Sequence, residues 1–465
     1  MSSALPVGPG SLRSLPLVRG LPVVGVVPAL LDHPIQRLLA VRERYGDIFS
    51  LDLGVTRWVV LCHPRYAEHV LVTHPERYRK GGPVWEAAAP LLGNGLVISE
   101  GDFWRRQRRL LQPHFHRQQL AALTTLMVDA IAETLDSWQP MIGSGQPMNL
   151  TAGFATITMR VIARTLFGQH LAGAEIERVS ELMTHIFGFL PLGIVSRLLP
   201  RWLQLPGAQR YRQQLAELDA IVHRIIAVER NAAAPSSSLL ALLVREATDG
   251  GMTDQQLRDE VMTFFLAGYE TTSLALSWAV AFMLEQPDIL QKVHAELDRS
   301  LGARVPAFSD LAALPYTRTV INETLRLAPP SWWLPRSAAV DDELDGYRIP
   351  AGTMVVIFTY AIHHHPTLWP SPERFIPERF STEETASRPR LAFMPFGAGQ
   401  RVCIGKEFAL MEAPLVLAML LQRCTLRAVP GIKPQPRIGM TLRPQGEVKA
   451  FLQRRPVSVA QPEAR

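Results

Sequence analysis

The segment 396–405, Phe-Gly-Ala-Gly-Gln-Arg-Val-Cys-Ile-Gly, surrounds a single cysteine with glycines and places Arg401 two residues before it. Glycine lets the backbone turn tightly, so amide N–H groups can approach the sulfur of Cys403. These amides and the arginine stabilise a thiolate and tune any metal that it binds. One cysteine cannot hold zinc, but it can supply the single protein ligand that a haem iron requires for oxygen activation. We therefore predict that Cys403 is the axial ligand of a haem iron.

A second unusual segment lies at the centre of a predicted long helix, which begins at Thr253, a suitable N-cap residue, and continues to about Leu284. The segment 267–272, Ala-Gly-Tyr-Glu-Thr-Thr, places a glycine, an acid and two hydroxyls where a purely structural helix would use leucine and alanine. Such residues cost stability in a buried helix. Their presence predicts that this helix carries chemistry as well as packing.

Two further patterns pair charged or polar side chains on predicted helices. Glu323 and Arg326 are three residues apart, so they share one helix face and can form an ion pair. Trp104 and Arg108 are four apart, so an indole N–H and a guanidinium can reach the same carboxylate. A Glu-x-x-Arg pair by itself is most often a weak surface ion pair, so its meaning depends on the other motifs.

Together these segments resemble the cytochrome P-450 family. The cysteine segment matches that family's haem-binding loop, Phe-x-x-Gly-x-Arg-x-Cys-x-Gly, at every fixed position. The segment 267–272 is similar to the family's oxygen-binding Ala-Gly-x-(Asp/Glu)-Thr-Thr, and 323–326 is similar to its Glu-x-x-Arg. The motifs follow in the family's order from about Trp104 to Gly405. The resemblance implies a haem-thiolate monooxygenase of the soluble bacterial type, with haem b as its cofactor and dioxygen as its co-substrate.

The resemblance also implies roles for individual residues. Glu270 and Thr271 would be catalytic, because the acid can relay protons and the hydroxyl can donate a hydrogen bond to bound dioxygen. Cys403 would be the metal ligand. A separate structural group would fix the part of the chain that leads to Cys403, and it consists of Glu323, Arg326 and Arg379. The implied haem contacts, among which the tryptophan and the arginines bind the propionates, are Trp104, Arg108, Ala267, Gly268, Arg336, Phe396, Arg401, Cys403 and Gly405.

The fold implied by the resemblance is mainly α with small β-sheets (α+β), a triangular prism with an α-rich lobe and a small β-rich lobe. The residue patterns agree: helical spacing dominates from about residue 103 to 295, while Ile48-Phe-Ser-Leu-Asp-Leu and Trp58-Val-Val-Leu indicate two strands. The proline-rich residues 1–20 are expected to be a flexible segment, and 21–465 a single domain.

Composition restricts the partners and the compartment. The net charge of +6 is spread along 465 residues, so nucleic-acid binding is not expected. The arginines at 105, 106, 108 and 109 are either a solvated helix face or a docking surface for an acidic electron donor. Three widely spaced cysteines indicate a reducing compartment. No apolar stretch near the start is long enough to span a bilayer, so we expect a cytoplasmic monomer without a membrane anchor.

The expected reaction is hydroxylation or epoxidation of a small hydrophobic substrate. The chain lacks a Gly-x-Gly-x-x-Gly motif and an iron–sulfur cysteine set, so electrons must come from a ferredoxin or flavodoxin with its reductase, and indirectly from NAD(P)H. Adjacent tryptophans favour a rigid terpenoid, while fatty acids and polyketides stay open. A non-catalytic haem sensor or electron carrier, and a reductase-independent isomerase or peroxygenase, are the alternatives. The predicted pocket residues are Trp85, Leu96, Val97, Phe264, Trp332, Trp333, Leu334 and Met440.

Overall fold

The computed structural model describes residues 13–22, 24–31, 33–168, 171, 173–197, 205–232, 238–386 and 388–455. It is 59% helical with small sheets, which confirms the predicted fold class. The helices are α1 (Val27–Leu31), α2 (Pro34–Tyr45), α3 (Pro64–Glu68), α4 (Pro83–Leu92), α5 (Gly101–Leu111), α6 (Arg117–Ser137), α7 (Leu150–Leu166), α8 (Gly173–Arg197), α9 (Ala208–Arg230), α10 (Leu239–Thr248), α11 (Asp254–Glu285), α12 (Pro287–Ser300), α13 (Pro315–Leu327), α14 (Thr359–His363), α15 (Thr382–Ala386) and α16 (Lys406–Arg423).

The strands are short and form sheets of two, three and six strands. They are β1 (Leu17–Val18), β2 (Ile48–Asp52), β3 (Arg57–Leu61), β4 (Tyr78–Arg79), β5 (Pro147–Asn149), β6 (Leu334–Ala338), β7 (Asp342–Leu344), β8 (Tyr347–Ile349), β9 (Met354–Ile357), β10 (Cys424–Ala428), β11 (Gln435–Ile438), β12 (Leu442–Gln445) and β13 (Lys449–Arg454).

The chain divides into two compact units, of which the β-rich unit comprises Met1–Val84, Trp333–Pro370 and Pro389–Val402. Its largest sheet has the strand order β1-β2-β3-β9-β6-β4. Strands β2 and β3, the two predicted from residue alternation, pair antiparallel with Ile48 opposite Leu61. Both side chains are buried in an apolar cluster, as a sheet with one face on the core requires.

The start of the β-rich unit bears on the predicted flexible segment 1–20. Residues 1–12 of that segment lie outside the described residues. The described remainder is tied down, because the Arg13 backbone N–H donates to the Gly346 carbonyl oxygen at 2.8 Å and Leu17 pairs with Ser50 in parallel strands. The division into a leading segment and one domain, 21–465, stays a prediction.

The α-rich unit comprises Trp85–Trp332, Ser371–Arg388 and Cys403–Arg465. Its small sheets have the orders β10-β13-β5 and β11-β12. Among the described residues, α8 is the one helix long and apolar enough by length and composition to cross a membrane, and 33% of its most apolar stretch is buried.

Helix α11 starts where the sequence predicts. The Thr253 hydroxyl accepts from the Gln256 backbone N–H at 3.2 Å, while the Gln256 side-chain oxygen accepts from the Thr253 N–H at 2.8 Å. This reciprocal capping box satisfies donors that a helix N-terminus otherwise leaves unpaired. The helix ends at Glu285, close to the predicted end. Helix α7 packs along it, and the Thr158 hydroxyl donates to the Tyr269 carbonyl oxygen at 2.9 Å.

Candidate active site

The glycine-rich part of the cysteine segment needs its glycines for backbone geometry. Gly397 and Gly399 have φ angles of +70° and +68°, in the left-handed region that other residues avoid. A Cβ at Gly399 would overlap the carbonyl oxygen of Leu71 in the same β-rich unit. A short 3-10 turn, Gly399–Arg401, follows and brings the chain towards the cysteine. The tight turn inferred from the sequence is therefore present, and Gly399 cannot be replaced without displacing Leu71.

Cys403 differs from the other cysteines of the chain. Its side chain is exposed, whereas Cys62 and Cys424 are buried. Gly405 is a close neighbour of Cys403, since a Cβ at this glycine would lie 3.9 Å from the Cys403 sulfur, within van der Waals contact. Burial lowers the pKa of the Arg108 guanidinium, and the negative charge of the Cys403 thiolate acts on it in the opposite direction. Arg108 and Cys403 are thus electrostatic neighbours within the α-rich unit.

The accessible face of α11 coincides with the predicted motif. From Leu257 to Ala281 every residue is buried except Ala267, Gly268 and Thr271. Residues spaced i, i+1 and i+4 lie on one side of a helix. The Thr271 hydroxyl donates to the Ala267 carbonyl oxygen at 2.8 Å. This otherwise buried stretch of α11 therefore exposes one hydroxyl beside two small residues.

Gly268 has a packing role that the sequence did not indicate. A Cβ at this position would lie 2.5 Å from Cδ1 of Ile162 on α7. The absence of a side chain at Gly268 thus allows α7 and α11 to approach closely, in addition to any room that it leaves for a ligand.

Glu270 follows the accessible face but is turned away from solvent, with 4% of its surface exposed. Its Oε1 accepts from the Thr441 hydroxyl at 3.0 Å and pairs with the Arg443 guanidinium. Its Oε2 is buried and has no hydrogen-bond partner among the described residues. Burial raises the pKa of Glu270, while Arg443 and Thr441 lower it. The predicted catalytic acid is therefore held by a hairpin that the sequence did not connect with it.

The four candidate propionate ligands are divided between the units. In the α-rich unit, Trp104 is buried on α5, and Arg108, one turn later, donates from Nε to the Gln112 side chain at 3.2 Å. In the β-rich unit, Arg336 is buried on β6 and Arg401 ends the turn before Cys403. Phe396 lies in the same segment as Arg401. Cationic donors suited to anionic groups are thus present within each unit.

The three residues predicted to be structural are brought together. Glu323 and Arg326 are completely buried on α13, and Nε of Arg379 lies 3.4 Å from Oε1 of Glu323. The same side chains also bind the backbone of the segment 371–376. Nη1 of Arg326 donates to the Pro372 carbonyl oxygen at 2.8 Å, and the Ile376 backbone N–H donates to the Glu323 carboxylate at 2.9 Å. These contacts fix an irregular segment that has no regular backbone ladder.

The predicted pocket residues occupy different places. Phe264 on α11 stacks on Phe115, with ring centroids 5.5 Å apart. The Trp332 indole N–H donates to the Gly439 carbonyl oxygen at 3.1 Å in the α-rich unit, whereas Trp333 stacks on Trp58 in the β-rich unit. The paired tryptophans thus have separate packing partners. The others are Trp85 on α4, Leu96 and Val97 after α4, Leu334 at the start of β6 and Met440 between β11 and β12.

The described residues fit a haem. Its single thiolate ligand is available at Cys403, cationic and indole donors suit its carboxylates, and α11 presents small residues beside one hydroxyl.

Sequence reasoning missed Thr441 and Arg443. Alternation along a strand places them on one side of the hairpin, but no local signal identifies Glu270 as their partner. It also missed Glu412 on α16, a fully buried acid whose pKa is raised by burial.

Comparisons with known proteins show the family and the fold of this chain. The sequence profile described as cytochrome P450 matches residues 15–450. The cyclooctat-9-en-7-ol 5-monooxygenase of Streptomyces melanosporofaciens is 38% identical over 92% of this chain and 93% of that protein. Cyclooctatin synthase from the same organism is 35% identical over 91% and 92%. A crystal structure of the cytochrome P450DA haem domain has a TM-score of 0.86 at 24% identity, covering 96% of this chain and 99% of that one, which shows the fold alone.

Proposed function

Because this chain belongs to the cytochrome P450 family and is a monooxygenase, we propose that it hydroxylates or epoxidises a cyclic terpenoid. The names of two relatives support this substrate class, since homologues of this chain act on terpenoids. The predicted pocket residues are apolar or aromatic, as a hydrocarbon skeleton requires. The rigid aromatic side chains among them favour a cyclic substrate over a linear one.

One observation carries the proposed activity. Along the enclosed part of α11, the accessible residues are Ala267, Gly268 and Thr271, and the cysteine outside the core is Cys403. Both features belong to the α-rich unit. A purely structural helix has no reason to expose a hydroxyl at its centre, and an exposed thiol is accessible to a metal or a reactant. Their joint presence favours a reaction site over a packing role.

We assign the cofactor contacts residue by residue. Cys403 would bind the iron, and Trp104, Arg108, Arg336 and Arg401 would bind the propionates. The other residues that would hold the group are Ala267, Gly268, Phe396 and Gly405. Haem b with a thiolate ligand supplies oxygen activation when bound. Glu323, Arg326 and Arg379 would keep the chain before the cysteine in place.

Thr271 and Glu270 would handle protons. In this structure the Thr271 hydroxyl donates to Ala267, and rotation about one bond would let it donate towards the accessible face instead. Glu270 Oε2 is the oxygen without a hydrogen-bond partner among the described residues, so a proton can be held there. A positioned acid–base group of this kind contributes roughly 10²–10⁴-fold to a proton-transfer step.

We further propose that electrons come from a ferredoxin or flavodoxin with an NAD(P)H-dependent reductase. Arg105, Arg106 and Arg109 are exposed on α5 and would attract an acidic donor. Within this proposal the protein acts in the cytoplasm as a monomer.

The test uses the haem-loaded chain. Cyclooctat-9-en-7-ol, a long-chain fatty acid and a macrolactone are titrated separately, and the shift of the haem absorption band reports entry into the site. Each is then incubated with ferredoxin, its reductase, NADPH and isotopically heavy dioxygen. We expect the cyclic terpenoid alone to bind tightly and to gain one heavy oxygen atom.

The other outcomes distinguish the alternatives. Binding and oxidation of the fatty acid only would overturn the terpenoid assignment. Product formed with peroxide but never with the reductase would indicate a peroxygenase. A chain that takes up haem but consumes no oxygen with any substrate or donor would be a sensor or an electron carrier, and the proposal would fail.

A further inference from the structure

The hairpin formed by β11 and β12 is anchored at its turn by the α-rich unit. The Trp332 indole N–H donates to the Gly439 carbonyl oxygen at 3.1 Å, and the Leu442 N–H donates to the Pro330 carbonyl oxygen at 3.0 Å. The indole of Trp278, on α11, donates to the Leu442 carbonyl oxygen at 3.2 Å. Three hydrogen bonds around one turn fix this hairpin more firmly than its two-stranded ladder alone would.

The anchored hairpin delivers two polar side chains to one buried carboxylate. Thr441 and Arg443 both contact Oε1 of Glu270, and Nε of Arg443 also donates to the Thr441 hydroxyl at 3.4 Å. The Arg443 guanidinium lies 5.9 Å from the ring centre of Phe187 on α8. Glu270 thus has one oxygen engaged by the hairpin and a second, Oε2, that is buried without a hydrogen-bond partner among the described residues.

We propose that Arg443, assisted by Thr441, is a positioning residue that orients Glu270 and favours its ionised form, with Oε2 as the oxygen that receives and releases protons. The inference rests on the proposed function and deepens it. Neither hairpin residue touches the reacting atoms, and both act through Glu270.

The charge of Arg443 affects the ionisation of the buried Glu270 carboxyl. A carboxylate buried to this extent would be neutral without a compensating cation. Among the described residues, Arg443 is the charged group in contact with Glu270. The titratable neighbour is Tyr269, whose hydroxyl lies 2.7 Å from Thr184 Oγ1 on α8. Burial raises the pKa of Glu270 and Arg443 lowers it, so loss of Arg443 would raise this pKa further. Glu270 would then stay protonated to higher pH.

The chain offers a matched control in the same hairpin. Arg437 is paired directly across the ladder from Arg443, and its side chain is exposed. Arg437→Met therefore removes the same charge from the same hairpin without touching Glu270. Arg443→Lys keeps a cation at the site but loses the planar fork, so it should restore part of the wild-type behaviour.

The experiment follows the Glu270 carboxyl by infrared difference spectroscopy of the haem-loaded protein between pH values, with Glu270→Gln to assign its band. We expect the Glu270 titration in Arg443→Met to move upward by about one pH unit or more, a tenfold or greater rise in proton affinity. Thr441→Val should move it less, in the same direction. The pH profile of product formed per electron supplied should shift likewise, while Arg437→Met matches the wild type.

An unchanged Glu270 titration in folded Arg443→Met would overturn the inference. If that variant does not fold, an unchanged Glu270 titration in Thr441→Val would overturn it instead. The infrared measurement needs no turnover, so a chain that oxidises no terpenoid would defeat the proposed function while leaving the result on Arg443 intact.

Discussion

The side chains of Glu323 and Arg326 form a completely buried ion pair, in which Nε and Nη2 of the arginine donate to the two carboxylate oxygens at 2.7 and 2.8 Å. The same guanidinium donates to the carbonyl oxygens of Pro372 and Arg374 at 2.8 and 3.1 Å. One arginine thus joins α13 to an irregular segment some fifty residues later. Removing either partner would leave the other charge buried and uncompensated.

Glu323→Ala should therefore destabilise the protein by about 3–5 kcal/mol, the usual cost of breaking a buried ion pair. Urea unfolding of the haem-free chain measures this change. Lys292→Ala is the control, because Lys292 and Glu378 form an exposed pair at 2.7 Å, and such pairs contribute about 1 kcal/mol or less. Equal losses in the two variants would show that burial does not determine the strength of the Glu323 contact.

Cys403→Ser should remove the strongly red-shifted absorption band that reduced, thiolate-ligated haem gives with carbon monoxide, because a hydroxyl does not replace the thiolate as ligand. Cys424→Ser is the control. Cys424 is buried, and its sulfur donates a hydrogen bond to the Leu420 carbonyl oxygen, a contact that serine can keep. The red-shifted band of the Cys424→Ser variant should therefore match that of the wild type. A red-shifted band in Cys403→Ser would exclude Cys403 as the ligand.

Thr271→Val should reduce product formed per dioxygen consumed by about tenfold or more, since it keeps the volume of the side chain and removes a proton donor from the accessible face of α11. Hydrogen peroxide release should rise in proportion. Thr271→Ser keeps the hydroxyl and should recover most of the wild-type yield. Quantifying product and peroxide at equal NADPH consumption checks both, and equal yields in Thr271→Val and the wild type would remove Thr271 from the proton path.

Glu260→Gln should change how stability depends on pH. The Glu260 side chain is buried and accepts from the Leu96 N–H at 3.1 Å, and burial raises its pKa to about 8. The folded protein therefore retains a proton that the unfolded chain has lost, so wild-type stability falls as pH rises from about 4.5 to about 8.

Glu260→Gln has no proton to lose at this position, so its unfolding free energy should not fall in this way. The difference between the unfolding free energies of the variant and the wild type should therefore increase by up to about 1.4 kcal/mol per pH unit across that window. Urea unfolding at a series of pH values measures the difference. Glu343→Gln, at an exposed position on β7, should follow the wild-type curve. A Glu260→Gln curve parallel to the wild type would mean that this acid is ionised in the folded protein.

Much of the fold was predictable because its signals are local. The capping residues Thr253 and Gln256 identify the start of α11, and alternation identifies β2 and β3. The association of Arg379 with Glu323 came from the family resemblance, since the two residues are distant in sequence and nothing local links them. The separate partners of Trp332 and Trp333 could not be predicted, because both residues lie in irregular backbone before β6, where packing alone decides what each one meets.

The sequence by itself determined which residues are the candidates for chemistry. Cys403 is identified by its glycines and arginine, and Thr271 by a hydroxyl at the centre of a helix where leucine or alanine would suit packing better, because short-range spacing controls backbone turns and helix faces. Only the tertiary structure decided the state of Glu270. Its ionisation depends on how deeply α11 is enclosed and on Arg443, and both follow from packing between segments far apart in the chain, which no local pattern encodes.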